Sequence, residues 1–459
     1  MKAYKIFLFI ISVIAMLALM CSFYPADGVR LGTTTLRFPS MMDILIGEEE
    51  EEVESPEDFI ARRELEIKEM QKEKYLEFFR TDSARFYLPG GDVRFFDDFF
   101  KALDNARTKR VRIVHYGDSQ IEEDRVSKAI RARLQEKFGG GGPGLVPLRG
   151  PFYTYSLSET VTRSPRSYAV YDPESSKLSG GKYGPVGRAA RIDTVITATF
   201  TTPKKKGEVP PPSAWFNRVK ILTGNVQGTL RIRQGKEGVD LEAGTDMTTT
   251  TFVLPDSTSR VSMTFSGFGD VYGVMLDNET GVCLDNVPMR GCSGTIFTGI
   301  SSQQLKQFYK DENVKLIILQ YGGNVVPYTK SAKSISDYKQ RITKQIKYVR
   351  EQAPDAKVLF IGPSDMSTSK GGKMGTYEHL PALVDSLRDA ALSSGAAFWD
   401  LYQSMGGDGS MVRWVKSKPA LAGSDYVHFT PRGAELMGDM FSNSLMVYYE
   451  YYKLRKKDE

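Results

Sequence analysis

Cysteine is nearly missing: Cys21, Cys283 and Cys292 are the only three in 459 residues, too few for a disulfide scaffold. Cys283 and Cys292 either pair after export or lie as two buried thiols. Histidine is equally scarce, with three in the chain. No G-x-x-x-x-G-K-[ST], H-E-x-x-H or C-x-x-C segment occurs, so nucleotide and zinc chemistry lack support, and neither cofactor nor metal is expected. The run Gly139–Gly144 (GGGGPG) meets G-x-G-x-x-G only trivially. It follows a helical pattern rather than a strand and contains Pro143, which argues against a dinucleotide fingerprint. Charge of one sign is not in excess: 61 basic residues stand against 56 acidic ones, for a net +5. No nucleic-acid partner is expected from that balance. Lys204–Lys206, beside Pro210–Pro212, reads as a solvated loop. Beyond the N-terminus, no segment is long and apolar enough to span a membrane.

What is present begins with that N-terminus. Lys2 and Lys5 precede Ile6–Met20, whose only polar residue is Ser12. This is a positive segment followed by an apolar one, and residues 1–25 read as either a signal peptide or a single-pass membrane anchor. The lysines favour the cytoplasmic side, which places the bulk of the chain in the periplasm or cell envelope. Met20 before Cys21 fits a lipoprotein signal poorly. Residues 26–87 read as an acidic linker and helical spacer, with Glu48–Glu52 repelling itself and a charge-rich helical pattern over Phe59–Phe79.

A length of 459 residues accommodates two to three domains of about 100–200 residues each. Apolar runs at Val111–Tyr116, Val314–Gln320, Val358–Ile361 and Ala396–Trp399 are each followed by a helix-like segment: Glu122–Phe138, Ile335–Gln352, Glu378–Ser393 and Pro431–Tyr452. Alternation of this kind predicts an α/β fold, a parallel sheet flanked by helices. It occupies residues 88–155 and 281–455. Between them, 156–280 has Thr- and Val-rich runs (DTVITATF, TTTTFVL, RVSMTF) broken by turn residues. That pattern predicts an inserted antiparallel β-sandwich, with aromatic residues suited to binding carbohydrate.

Four short segments carry the chemistry: HYGDSQ at 115–120, RGCSG at 290–294, YGGN at 321–324 and SDYVHF at 424–429. Ser119 follows an apolar strand, and catalytic groups in parallel sheets gather at strand carboxyl ends. A G-D-S tripeptide alone is an ordinary turn; here Gln120 and Ile121 continue into a predicted helix, which puts the Ser119 N–H at its start. A serine hydroxyl needs a positioned base. Asp425 and His428 stand three apart, just before Thr430-Pro431 opens the last helix. The aspartate can orient and stabilise the imidazolium. Gly294, with Gly291 as the rival, would donate a backbone N–H to an oxyanion, and Asn324 a side-chain amide. His115 and His379 lack an acidic partner at useful spacing and read as structural or surface residues. Together these residues read as an ester-cleaving site.

In this order the four blocks resemble those of the SGNH hydrolase superfamily, the GDSL-like acylhydrolases. Ser119, Gly294, Asn324 and His428 match its four name-giving residues, and Asp425 matches the triad acid. The third block departs from the frequent G-x-N-D or G-x-N-E, since Val325 follows Asn324. Gln120 stands where many relatives carry a hydrophobic residue, and HYGDSQIEEDRV looks like the branch containing bacterial peptidoglycan O-acetylesterases. The resemblance implies an SGNH-type, flavodoxin-like sheet and a serine esterase acting through an acyl-enzyme, with Ser119, Asp425 and His428 catalytic and Ser119, Gly294 and Asn324 holding the oxyanion. It implies an acetylated polysaccharide as substrate. Two alternatives stay open: an O-acetyltransferase using the same residues on an envelope polysaccharide, and a non-catalytic glycan-binding protein on a vestigial hydrolase fold.

Overall fold

The computed structural model describes residues 3–23, 29–31, 34–36, 58, 61–63 and 72–458 other than 205, 206 and 208. The chain divides into two units, residues 1–55 and 56–459. The first contains the helix Ala3–Phe23 and a two-stranded pairing of Val29–Leu31 with Thr34–Leu36. Among the described residues no helix is long and apolar enough to cross a membrane, so the anchor expected over 1–25 gains no support. The acidic run Glu48–Glu52 and residues 59, 60 and 64–71 of the expected helix Phe59–Phe79 lie outside the described residues. The end of that helix is Lys72–Thr81, which buries Tyr75 and Phe78.

The second unit is built on a six-stranded sheet. In spatial order the strands are Val282–Pro288, Val111–Gly117, Val314–Gln320, Lys357–Ile361, Ala397–Trp399 and Phe86–Tyr87. The first five run parallel and the last is antiparallel. Side chains alternate between the two faces of a strand, and the apolar runs are continuous because both faces are covered. Ile113, Leu316, Ile318, Leu359 and Ile361 pack on one face with helices Asp97–Asp104, Ser127–Phe138 and Pro431–Asp458. Val114, Tyr116, Ile317, Leu319, Val358 and Phe360 pack on the other with Ser302–Asp311, Ala332–Gln352 and Leu380–Ser393. The α/β class read from the sequence is the observed one.

Two expectations change. Val282–Pro288 is not among the expected strands, because Asp285 and Asn286 interrupt its apolar pattern. Asp285 is nonetheless fully buried, accepting 2.6 Å from Arg112 Nη1. The helix expected over Glu122–Phe138 begins only at Ser127. Before it lies a short 3-10 turn, Ser119–Asp124, broken by extended backbone at Glu122 and a positive φ of 63° at Glu123. Ser119 therefore opens this turn and not an α-helix. The break turns two buried acids to arginine partners: Glu122 to Arg290 at 2.7 Å and Asp124 to Arg131 at 2.6 Å.

The inserted β region is antiparallel, nine strands hydrogen-bonded in one sheet. Its spine is the pair Phe216–Gln234 and Arg260–Asp277. Register shifts along that pair let Arg260–Asp277 serve several neighbours in turn: Ile196–Thr201, Arg188–Ile192 and Gly144–Val146. Its own core includes Phe200, Phe216, Ile221, Leu230 and Phe265. Because Gly144–Val146 pairs here, the insert is better drawn from residue 144 than from 156.

A buried ionic cluster joins this sheet to the parallel one. Arg112, on the Val111–Gly117 strand, is fully buried and pairs with Asp285 and with Asp277 of the antiparallel spine. Arg218 also reaches Asp277, at 2.7 Å. Glu312 draws Arg110 to 2.8 Å and Lys220 to 2.6 Å. Every charge in the cluster has an opposite partner, the condition under which buried ions are tolerated.

Candidate active site

The order of the five parallel strands reverses at Val111–Gly117: the next strand in sequence lies on one side and the third on the other. Ligands of such sheets bind beyond the strand ends at this switch point. Gly117 closes the strand where an added Cβ would lie 2.9 Å from Ile121 Cδ1. The chain then bends, and Asp118 Oδ1 accepts the Gln120 N–H at 3.0 Å. That capping bond sets the turn on which Ser119 sits.

Ser119 Oγ lies 2.8 Å from His428 Nε2, and His428 Nδ1 lies 2.7 Å from Asp425 Oδ2. With a carboxylate facing Nδ1, that nitrogen carries the proton and Nε2 is free to accept one from the serine. Asp425 Oδ1 accepts the backbone N–H groups of Val427 and His428, each at 3.0 Å. Partial burial raises the Asp425 carboxyl, but the His428 ring and these two N–H groups outweigh it and hold it below the ordinary value. The line from serine to imidazole to carboxylate is unbroken.

The loop carrying Asp425 and His428 is fixed from several directions. Gly423 N–H donates to His428 O at 2.8 Å, and Ser367 N–H donates to Tyr426 O at 3.1 Å. Tyr426 takes a left-handed φ of 57°, a conformation that persists only where neighbours enforce it. Two further anchors come from the nucleophile turn. Gln120 Nε2 donates to Val427 O at 2.6 Å, and Arg125 Nη1 donates to Phe429 O at 3.1 Å. Neither Gln120 nor Arg125 stands out in the sequence as a site residue. The available signal is their closeness to Ser119.

Asn324 sits in the 3-10 turn Gly323–Tyr328. Its Nδ2 donates to Asp118 Oδ2 and to Cys292 O, both at 3.1 Å. The amide thus ties the nucleophile turn to the loop of Gly294. That loop is steadied by Tyr338, whose hydroxyl donates to Ser293 O at 2.7 Å. Gly294 has φ 76° and lies so close to Tyr321 that a Cβ would fall 2.7 Å from its ring. Gly291 also has a positive φ, of 72°, but nothing lies within 4 Å of its Cβ position. Only Gly294 is required to be glycine both by backbone and by packing. Its N–H donates to Cys292 Sγ at 3.3 Å. Cys283 and Cys292 are both free and buried, the second of the two readings. Burial pushes the Cys292 thiol up to about 12.

Asp118, unassigned in the sequence, proves to be a central polar residue. It is 3% exposed, and burial pushes its carboxyl up to about 6 against the pull of the Gln120 N–H, His428 and the Asn324 amide. His115 stands apart from the relay. It is fully buried between Gln320 Oε1 at 3.0 Å and Ser127 Oγ at 2.9 Å, and burial lowers it to about 3. A neutral, hydrogen-bonded core histidine is its role. His379 precedes the helix Leu380–Ser393.

A family model described as GDSL-like Lipase/Acylhydrolase matches residues 256–436, which takes in Gly294, Asn324, Asp425 and His428 but not Ser119. No curated protein matches the chain. Among solved structures, a peptidoglycan O-acetylesterase is similar with a TM-score of 0.63 at 20% identity, covering 81% of this chain and 99% of its own. At that identity the likeness is one of fold. A family two carbohydrate esterase from Cellvibrio japonicus is similar at 9% identity over 64% of this chain and 99% of its own, with a TM-score of 0.26, too slight to bear on the site. Residues 256–436 are thus similar to the GDSL-like acylhydrolases, and the chain as a whole shares its fold with a peptidoglycan O-acetylesterase.

Proposed function

We propose that the protein is a serine esterase that removes O-acetyl groups from a cell-envelope glycan such as peptidoglycan, outside the cytoplasm. The observation that carries this is the continuous relay from Ser119 Oγ through His428 to Asp425, at 2.8 Å and 2.7 Å. In the first half-reaction His428 Nε2 takes the Ser119 proton as Oγ bonds to the acetyl carbon. The proton then passes to the departing sugar oxygen as its bond to that carbon breaks. In the second half, water gives its proton to His428, attacks the acetyl-serine and releases acetate, returning the proton to Ser119. Asp425 stabilises the imidazolium throughout. The Ser119 and Gly294 N–H groups and the Asn324 amide hold the oxyanion. For Asn324 this requires turning an N–H from Asp118 or Cys292 toward the substrate, and for Gly294 it requires the N–H to leave Cys292 Sγ; hydrogen bonds of this kind commonly tighten only in the reacting complex.

The glycan assignment is supported by the TM-score of 0.63 to a peptidoglycan O-acetylesterase over 81% of this chain. Export is supported by Lys2 and Lys5 ahead of the apolar run Ile6–Met20. The test is acetate release from O-acetylated peptidoglycan, compared with acetylated xylan and pectin and repeated with S119A. Release from peptidoglycan that vanishes in S119A is expected. Turnover of a small acetyl ester with no release from any of the three polymers would refute the glycan assignment.

A further inference from the structure

Beside the nucleophile turn lies a cavity of about 390 Å³ that the catalytic steps leave unused. Its walls belong to the site's own elements. Glu123 and Asp124 come from the turn that Ser119 opens, and Pro288 ends the strand leading to the Gly294 loop. The loop over its mouth is fastened to the same turn, with Tyr155 N–H donating to Glu123 O at 2.9 Å. Arg290, bonded to Glu122, lies 4.3 Å over the ring of Phe152. A molecule in this cavity would therefore lie against the turn that Ser119 opens.

The lining combines aromatic faces with two arginines that form no ion pair among the described residues, the exposed Arg149 and the partly buried Arg188. Phe152, Tyr153 and Tyr171 line it, and Tyr153 is 66% exposed. Rings presented in this way stack on the C–H faces of sugars. The carboxylates of the lining are already engaged. Asp124 takes both terminal nitrogens of Arg131, at 2.6 Å and 3.0 Å. Glu159 accepts the N–H groups of Arg149 and Gly150, at 2.7 Å and 3.1 Å. Glu123 lies 3.8 Å from Arg125.

Arg188 is different. This partly buried guanidinium lines the cavity and donates one bond, from Nη1 to the Tyr171 hydroxyl at 3.3 Å. Its Nε is buried with no partner, and among the described residues no carboxylate pairs with it. A buried N–H left unsatisfied is costly. Arg188 lines the cavity, and a guanidinium fork matches the geometry of a carboxylate.

We propose that this cavity is a subsite for a sugar that carries a carboxylate, with Arg188 binding the acid and the aromatic rings the pyranose. The inference rests on the reading that the substrate is a glycan, and narrows it to an acidic one. The carboxylate could belong to the lactyl ether of a muramic acid residue or to the C6 of a uronic acid.

Calorimetric binding to the full chain carrying S119A, which cannot turn substrate over, tests this. The probes are a disaccharide containing N-acetylmuramic acid, its methyl ester, and a glucuronic acid disaccharide with its ester. At least one acid should bind about tenfold or more tightly than its ester, as loss of a charge-assisted pair requires. The acid that binds more tightly names the source. Adding R188Q should bring acid and ester to equal affinity, with the thermal midpoint of the protein unchanged as the control for an intact fold. Equal binding of acid and ester by the protein with Arg188 intact would overturn the proposal without any variant. So would a preference that survives R188Q. Acid-selective binding without acetate release from any acetylated glycan would refute the esterase assignment and leave the subsite standing. Acetate release with no acid preference would do the reverse.

Discussion

The two ends of one strand, Val111–Gly117, carry polar networks built to opposite ends. Near its start, Arg112 is fully buried, enclosed by Asp285 and Asp277, and the cluster around it joins two sheets. Just past its finish, Ser119 meets a histidine 36% exposed and an aspartate 52% exposed. In the first network every charge is answered by another and water is excluded. In the second, each bond orients the next, and the chain ends at a hydroxyl that can leave it. Closure suits a joint, and an open end suits chemistry. The contrast makes definite claims about which substitutions harm rate and which harm stability.

The sharpest separation is expected from S119A. One oxygen at a strand end contributes little packing, so the thermal midpoint should stay within a degree or two. Ester hydrolysis should fall by about 10⁴ or more, as in other serine-histidine-acid sites. H428A should match it, the two acting as a unit, and D425N should lose less than either. Retention of more than about a hundredth of the rate in S119A or H428A would break the assignment.

R112M is expected to do the opposite. It leaves Asp285 and Asp277 facing each other without their shared cation, a loss typically worth about 3–5 kcal/mol. Denaturant unfolding should show it, while kcat of the fraction still folded at low temperature stays near that of the wild type. A variant as stable as the wild type would mean that the two sheets hold together through apolar packing alone.

N324A should come next, with kcat lower by about 10²–10³, as for the loss of an oxyanion donor elsewhere. Its KM should change little. A KM effect alone would make Asn324 a brace between Asp118 and Cys292 and nothing more.

Asp118 offers a test in which pH is the variable. Its carboxyl titrates near 6 in the folded protein against an ordinary 3.8. Between those values the unfolded chain has released a proton that the folded one keeps. Stability therefore falls as pH rises through this window and is level above it. D118N has no such proton. Its thermal midpoint minus that of the wild type should climb between pH 4 and pH 6.5 and then flatten. The whole climb corresponds to at most about 3 kcal/mol of stability. A difference that is flat or falling across the window would mean that Asp118 is ionised at its ordinary value.

What the sequence disclosed follows from where partners lie. The continuous apolar runs Val314–Gln320 and Val358–Ile361 declare buried strands, since only a sheet covered on both faces tolerates them. Val282–Pro288 does not declare itself, because Asp285 answers Arg112, a partner distant in sequence. The same holds at the site. Asp425 and His428 can be read from their spacing, and Ser119 from its place after a strand. Asp118 and Gln120 adjoin Ser119, yet their partners stand 206 and 307 positions away, and nothing local announces them. The broken turn at Glu122–Asp124 is hidden for the same reason. Its helical pattern yields to arginines supplied by the Gly294 loop and the helix behind it.

The smallest expected effect concerns Gln120, which acts through the histidine loop and touches neither Ser119 Oγ nor the base. Its amide donates to Val427 O at 2.6 Å, beside the residue whose ring must face the serine. Q120M keeps most of the buried volume and removes that donor. One neutral hydrogen bond is worth about 1 kcal/mol, so kcat should fall by about five- to tenfold. KM for a small acetyl ester should stay unchanged, because no substrate contact is lost. Gly423 and Ser367 still hold the loop from the other side, which is why the loss should stop there. An unchanged kcat would show that those two bonds, with the one from Arg125 to Phe429 O, suffice to aim His428. A fall approaching that of S119A would show that the loop has no fixed position without the nucleophile turn, and the two networks would then be a single unit.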